Sequence, residues 1–173
     1  MKLIENQNGK VVMSKTGHSL IKTKLKEICS PLAGEMSGHI FFNDYWFGFD
    51  DGIYSALRCL QEIEVREGGL NTFLKNIPTT FVSPEIRINC SDEIKFKVVE
   101  KVKNSSFKDY NKSELLTIDG IRATSEIGWW LLRASNTQAA LIARAEGYSE
   151  KDLENLLKEI SMYLDDAGIK WTP

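Results

Sequence analysis

Residues 115–145 read LLTIDGIRATSEIGWWLLRASNTQAALIARA, and the fold of the second half of the chain turns on this stretch. Asp119-Gly120 is a hairpin-turn pair set between the apolar runs Leu115 to Ile118 and Ile121 to Thr124. Trp129 to Arg133 and Ala139 to Ala145 give two further strand-like runs on either side of a polar loop. Working backward, Ile86, Ile88 and Cys90 alternate with polar residues, which is the period of a half-buried strand. Ser91-Asp92-Glu93 then opens a helix carrying Ile94, Val98, Val99 and Val102. Working forward, Ser149 and Asp152 approximate a capping box. Leu153, Leu156, Leu157, Ile160 and Leu164 form an apolar stripe after it, and Gly168 ends the helix. The order β-α-β-β-β-α, with one strand split, predicts a small antiparallel sheet with two helices packed against it.

The first half is less regular. Val11, Val12 and Met13, within Lys10 to Ser14, predict a short buried strand. Lys15-Thr16-Gly17-His18 is a polar turn, and Ser19 to Ile28 is expected as a helix that stops before Pro31. Gly34 to Gly38 is a loop, followed by a strand over His39-Ile40-Phe41-Phe42. Ile53, Ala56, Leu57, Leu60 and Ile63 recur at helical spacing after Asp50-Asp51, and the helix fades at Glu67-Gly68-Gly69. Residues 70–84, with Pro78 and Pro84, are expected as a linker between units 1–69 and 85–173. The fold class expected is mixed α+β and α/β: an incomplete α/β unit, then a small antiparallel-sheet-plus-two-helices (TBP-like) unit.

Composition sets the outer bounds. The 173 residues are 42% hydrophobic and 27% charged, which suits a globular protein with a real core. A net charge of -2 gives no electrostatic reason to expect nucleic acid or an anionic membrane as partner. Cys29, Cys59 and Cys90 are odd in number and widely spaced, without a CxxC pair, so a zinc site is not expected and reduced thiols in the cytoplasm are. The first residues turn polar too early for a signal peptide, and no apolar run is long enough to cross a bilayer.

Three loops concentrate polar chemistry. In Lys15-Thr16-Gly17-His18-Ser19, amides at a helix start favour an anion, Lys15 adds charge, and His18 can give or take a proton near neutral pH. An ordinary strand–helix turn explains the same residues. In Gly34-Glu35-Met36-Ser37-Gly38-His39, a carboxylate can accept hydrogen bonds from two neighbouring hydroxyls, and Ser37 can donate or accept. A solvated polar loop explains it equally. In Arg133-Ala134-Ser135-Asn136-Thr137-Gln138, a guanidinium can grip a phosphate with two charge-assisted bonds while the hydroxyls and amide add donors. A solvated hairpin loop is the alternative. Asp50-Asp51 can hold a metal or cap the next helix. Tyr45, Trp46, Phe47 and Phe49 can stack on a sugar or pack at a domain edge.

Taken together, these loops, with Trp46 to Ala56 between them, resemble the α-D-phosphohexomutase superfamily in sequence and order, specifically the third and fourth domains of the phosphomannomutase/phosphoglucomutase branch. The resemblance runs over nearly the whole chain. It implies that Glu35 and Ser37, with His39, bind sugar hydroxyls. It implies that Arg133, Ser135, Asn136 and Thr137, with Lys15, hold phosphate. His18 becomes a candidate acid/base or phosphate contact. The two sets are expected to face one cleft. Met36, where the phosphoglucosamine branch usually has glutamine, points to mannose and glucose phosphates. Gln138-Ala139 departs from the usual residue-proline step, which would loosen the phosphate loop.

The family's reaction is an intramolecular phosphotransfer between C1 and C6 of hexose phosphates, an isomerisation run through a phosphoserine and assisted by Mg2+. The sequence contains neither a Ser-His-Asn-Pro-type serine loop nor an Asp-Gly-Asp-x-Asp-Arg metal loop. The expectation is therefore a C-terminal portion that is inactive alone, with no cofactor of its own. Its expected partners are hexose phosphates and an N-terminal mutase portion on another chain, with self-association through an exposed sheet edge. A non-catalytic sugar-phosphate-binding module and a truncated remnant are the alternatives.

Overall fold

The computed structural model describes residues 2–65, 67–75, 77–105, 107, 110 and 114–173. The chain divides into two compact units, Met1–Pro78 and Thr79–Pro173. Its class is mixed α and β, with an antiparallel sheet and helices.

In the first unit, a short helix α1 (Lys2–Glu5) is followed by α2 (His18–Glu27). Residues 10–14, expected as a buried strand, are irregular, and Val12 and Met13 are exposed. An apolar run becomes a strand only with a backbone partner, and the strands described in this unit pair with each other instead. Those strands are β1 (Leu32–Gly34) and β2 (Ile40–Phe42), an antiparallel hairpin in which Leu32 faces Phe42 and Gly34 faces Ile40. Ile21 and Leu25 of α2 pack with the fully buried Phe41 and with Ala33 to form this unit's small core. Helix α3 (Gly52–Val65) starts where expected, because the Asp51 carboxylate accepts the Tyr54 amide at 2.9 Å. Its apolar positions Ile53, Leu57 and Leu60 are nonetheless exposed. Tyr45 and Phe47, for which packing at a domain edge was one expectation, are also exposed, whereas Trp46 stacks on Tyr54 with 4.4 Å between ring centroids.

Residues 70–84, expected as a linker, contain the division between the two units and carry regular structure of their own. Gly69–Lys75 forms α4 and Phe81–Val82 forms β3. Gly68 and Gly69 are both at positive φ, and Gly69 is the first residue of α4.

The second unit follows the expected plan. It comprises β3, β4 (Ile86–Asn89), α5 (Lys95–Lys103), β5 (Leu115–Leu116), β6 (Ile121–Ser125), β7 (Gly128–Ala134), β8 (Ala140–Gly147) and α6 (Glu150–Asp166). The sheet runs β3-β8-β7-β6-β5, all antiparallel, and β4 pairs with β8 over Ala140 to Ala143, on residues that β3 leaves free. Alternate residues of β7, namely Trp130, Leu132 and Ala134, point into the core. They meet Val98, Val99 and Val102 of α5 and Leu156, Ile160 and Leu164 of α6 in one buried cluster. Ser149 caps α6 by accepting the Asp152 amide at 3.1 Å, and its hydroxyl donates to the Asp152 carboxylate at 2.7 Å. Gly120 sits in the β5–β6 turn at φ 77°, where a Cβ would lie 2.3 Å from the Leu132 carbonyl oxygen. Among the described residues no helix is long and apolar enough to cross a membrane.

Candidate functional site

Two polar loops of the first unit meet on Glu35. The loop ending at Gly17 leads into α2, and the loop of residues 35–39 closes the β1–β2 hairpin. Glu35 Oε1 accepts the Gly17 amide at 2.8 Å, and Glu35 Oε2 accepts the Ser37 hydroxyl at 3.1 Å. The hairpin loop itself is closed by the Glu35 amide donating to the His39 carbonyl at 2.9 Å and the Gly38 amide to the Glu35 carbonyl at 3.0 Å. A carboxylate has roughly four lone-pair sites, so Glu35 keeps acceptor capacity beyond these two donors.

His18, the first residue of α2, and His39, at the start of β2, come together beside them. Their rings are 5.7 Å apart and nearly perpendicular, and the His18 ring also stands edge-on against Phe41 at 5.0 Å. The Asp50 carboxylate lies between the two rings, 2.6 Å from His39 Nδ1 and 3.6 Å from His18 Nε2. Those contacts, the His39 hydrogen bond above all, hold the Asp50 carboxyl below the usual carboxylate range. Both imidazoles remain about half exposed. Lys15 is exposed and carries no ion pair to any described residue. Lys15, His18, Glu35, Ser37 and His39 thus all belong to one unit, and the last four share a connected surface.

The remaining candidates lie at the β7–β8 turn of the second unit. Arg133 is the penultimate residue of β7, opposite Ile142. Its guanidinium has no hydrogen bond or ion pair to a described residue. Ser135 is buried, and its hydroxyl oxygen accepts the Thr137 amide at 3.4 Å and the Gln138 amide at 3.2 Å. Both of its lone pairs are then engaged, which leaves the O–H free to donate. Asn136 and Thr137 are exposed at the tip.

Residues that sequence reasoning did not single out support this loop. The Lys95 side chain, buried beneath it, donates to the Gln138 carbonyl at 2.9 Å and pairs with Asp92 at 2.6 Å. The Arg87 guanidinium donates to the Gln138 side-chain carbonyl. Gln138, expected to loosen the loop, is therefore tied down at both its backbone and its side chain. Asp50 was weighed only as a cap or a metal ligand, yet it is Asp51 that caps α3. No sequence signal marks Asp50 as the partner of His39, because a tertiary bridge between Phe41 and Asp50 makes them neighbours.

Asp50 is engaged by His39 and by the Ile40 amide, and Asp51 by the Tyr54 amide and the Trp46 indole. Among the described residues no group of three or more His, Cys, Asp or Glu side chains is placed to hold an ion.

Mixed α/β architecture with polar loops at the sheet turns is the broad class that the fold defines. Comparison with known proteins narrows it: residues 1–81 match the phosphoglucomutase/phosphomannomutase alpha/beta/alpha domain III, and residues 85–161 match the phosphoglucomutase/phosphomannomutase C-terminal domain. The chain belongs to the phosphoglucomutase/phosphomannomutase family. It is 44% identical over 154 residues to a phosphomannomutase/phosphoglucomutase of Pseudomonas putida, covering 89% of this chain and 33% of that protein. It is 35% identical over 153 residues to a phosphoglucomutase of Neisseria gonorrhoeae, covering 88% of this chain and 33% of that protein. A crystal structure of a phosphoglucomutase/phosphomannomutase family protein from Burkholderia thailandensis matches with a TM-score of 0.84 at 36% identity, covering 96% of this chain and 35% of that one. The chain spans about a third of the length of the curated relatives it matches.

Proposed function

We propose that this chain is the sugar-phosphate-binding C-terminal portion of a phosphomannomutase/phosphoglucomutase. In this reading Glu35, Ser37 and His39 recognise hexose hydroxyls, with Lys15 and His18 contributing charge and a titratable group beside them. Arg133, Ser135, Asn136 and Thr137 hold the phosphate that is not being transferred. The units 1–69 and 85–173 correspond to the two functional parts, with the ordered stretch 70–84 between them. The observation that carries the reading is the Glu35 carboxylate, bonded at once to the Gly17 amide and the Ser37 hydroxyl. That junction makes one surface of two loops which, as sequence, had ordinary explanations. The Arg133 guanidinium, without a partner among the described residues, next in sequence to an anchored loop supports the phosphate half.

The isolated chain is proposed to bind without turning over. Phosphotransfer between C1 and C6 needs a phosphoryl carrier, and the sequence has no serine loop of the family type. Mg2+ would be supplied elsewhere in a full-length mutase, and no step on these residues depends on it. Cytoplasmic hexose phosphates and a polypeptide carrying the serine and metal loops are the partners this reading requires.

Calorimetric titration of the chain with glucose 1,6-bisphosphate tests it. Binding should be measurable, and Glu35→Gln or Arg133→Ala should each weaken it roughly tenfold or more, the worth of one charge-assisted contact. No heat of binding at millimolar ligand, with the chain folded, would reject the assignment. Conversion of glucose 1-phosphate to glucose 6-phosphate by the pure chain would reject the proposed inactivity. Activity restored by adding a polypeptide with the missing loops is the expected positive result.

A further inference from the structure

We infer that Asp50 is a positioning residue that fixes the proton of neutral His39 on Nδ1 and so presents Nε2 as a hydrogen-bond acceptor. The argument rests on which atoms can donate. The Ile40 backbone N–H can only donate, and it points at Asp50 Oδ1 from 3.2 Å. Oδ2 is left for the imidazoles, with His39 Nδ1 at 2.6 Å. An ionised carboxylate has no proton to give, so the proton in this short contact belongs to the ring nitrogen. A neutral histidine side chain in water favours the opposite tautomer, so Asp50 imposes a state that His39 would not favour by itself. The more distant His18 Nε2, at 3.6 Å, lies on the same oxygen and adds a second cation to that carboxylate when protonated.

The exposed edge of His39 then acts like Glu35: both accept and neither donates. A sugar hydroxyl reaching this surface must give its hydrogen, so the site selects free hydroxyls over ether or deoxy positions. This consequence deepens the sugar-phosphate reading and rests on it, whereas the assignment of the tautomer does not.

The test separates the two. The chain has only two histidines, so a His18→Gln variant assigns the ring signals unambiguously. Long-range proton–nitrogen spectra of the nitrogen-15-labelled full chain, recorded where the rings are neutral, should show His39 protonated on Nδ1. In Asp50→Asn the Ile40 amide keeps the side-chain carbonyl oxygen, so the new NH2 group faces Nδ1 and the proton should move to Nε2. Asp50→Ala, which imposes nothing, should give the same change by relaxing to the solvent preference. Unchanged backbone spectra in either variant establish that the fold is retained. The same variants should bind glucose 1,6-bisphosphate roughly tenfold more weakly.

A wild-type His39 protonated on Nε2, or an Asp50→Asn spectrum identical to wild type, overturns the inference. A tautomer that moves while affinity stays the same overturns the ligand-selecting role. A wild-type chain that binds no bisphosphate, yet whose ring proton moves in Asp50→Asn, rejects the functional reading and upholds the Asp50 assignment.

Discussion

Lys95 shows how a single buried cation can shape an exposed loop. Its side chain is 6% exposed, and its ammonium is divided between Asp92, itself largely exposed, and the Gln138 carbonyl. Burying a charge is tolerable only when its donors are used, and here two of three are. Lys95→Met keeps the stem's packing while deleting the donor to Gln138. The Gln138 carbonyl keeps the Ala140 amide at 2.8 Å, so the loss is that of one charge-assisted hydrogen bond, which should lower unfolding free energy by about 1–3 kcal/mol in urea titrations. Phosphate affinity should fall further than this change in stability explains, because the loop carrying Asn136 and Thr137 loses one of its anchors. A variant with wild-type stability and wild-type affinity would show the contact to be incidental. Nothing in the sequence flags Lys95. It is one of several lysines on a surface-patterned helix, and its burial arises because the β7–β8 turn folds over it.

Helix α3 and the segment before it depend on carboxylates more than on packing. Asp44 is held below the usual carboxylate range, first by the Tyr45 amide and then by Arg58, whose guanidinium lies 3.1 Å away; Asp50 is held low by His39. A carboxyl with a depressed pKa binds its proton less readily in the folded state than in the unfolded one. It therefore stabilises the fold above the ordinary carboxyl pKa of about 4 and loses that effect as pH falls further. The urea midpoint of the first unit should accordingly drop with pH below about 4, and Asp44→Asn should flatten that drop. The step is small, since these groups reach solvent. A midpoint that rises on acidification would contradict the sign. This dependence was partly legible: Asp50-Asp51 before an amphipathic helix announces a cap, but which aspartate caps is settled only by the backbone.

For the chain as a whole, the two units differ in how much they bury. The second encloses a continuous cluster in which Trp130, Leu132, Leu141, Leu156, Ile160 and Leu164 are fully buried. Among the described residues, the first has Ile21, Leu25 and Phe41 in its core, while Ile53 of α3 remains 79% exposed. Ile160→Ala should cost about 2–5 kcal/mol, the range for emptying a packed site. Leu57→Lys, on the exposed stripe of α3, should change stability by no more than about 0.5 kcal/mol. Equal losses from both would mean that the α3 stripe is buried in solution, for instance by self-association.

The same contrast divides what the sequence determined from what it did not. Two-residue alternation in β4, the Ser149 cap and the apolar stripe of α6 are local patterns that dictate local structure, and they sufficed to order the second unit. The three polar loops were legible for the same reason, since turn residues and donors sit side by side in the chain. Tertiary structure alone decided that residues 10–14 form no strand, that the α3 stripe faces outward, and that Asp50, Arg87 and Lys95 stand behind the candidate site. The first two depend on partners that the chain does not bring to those residues, and the last three are contacts between residues apart in sequence, which exist only once folding has brought their two sides together.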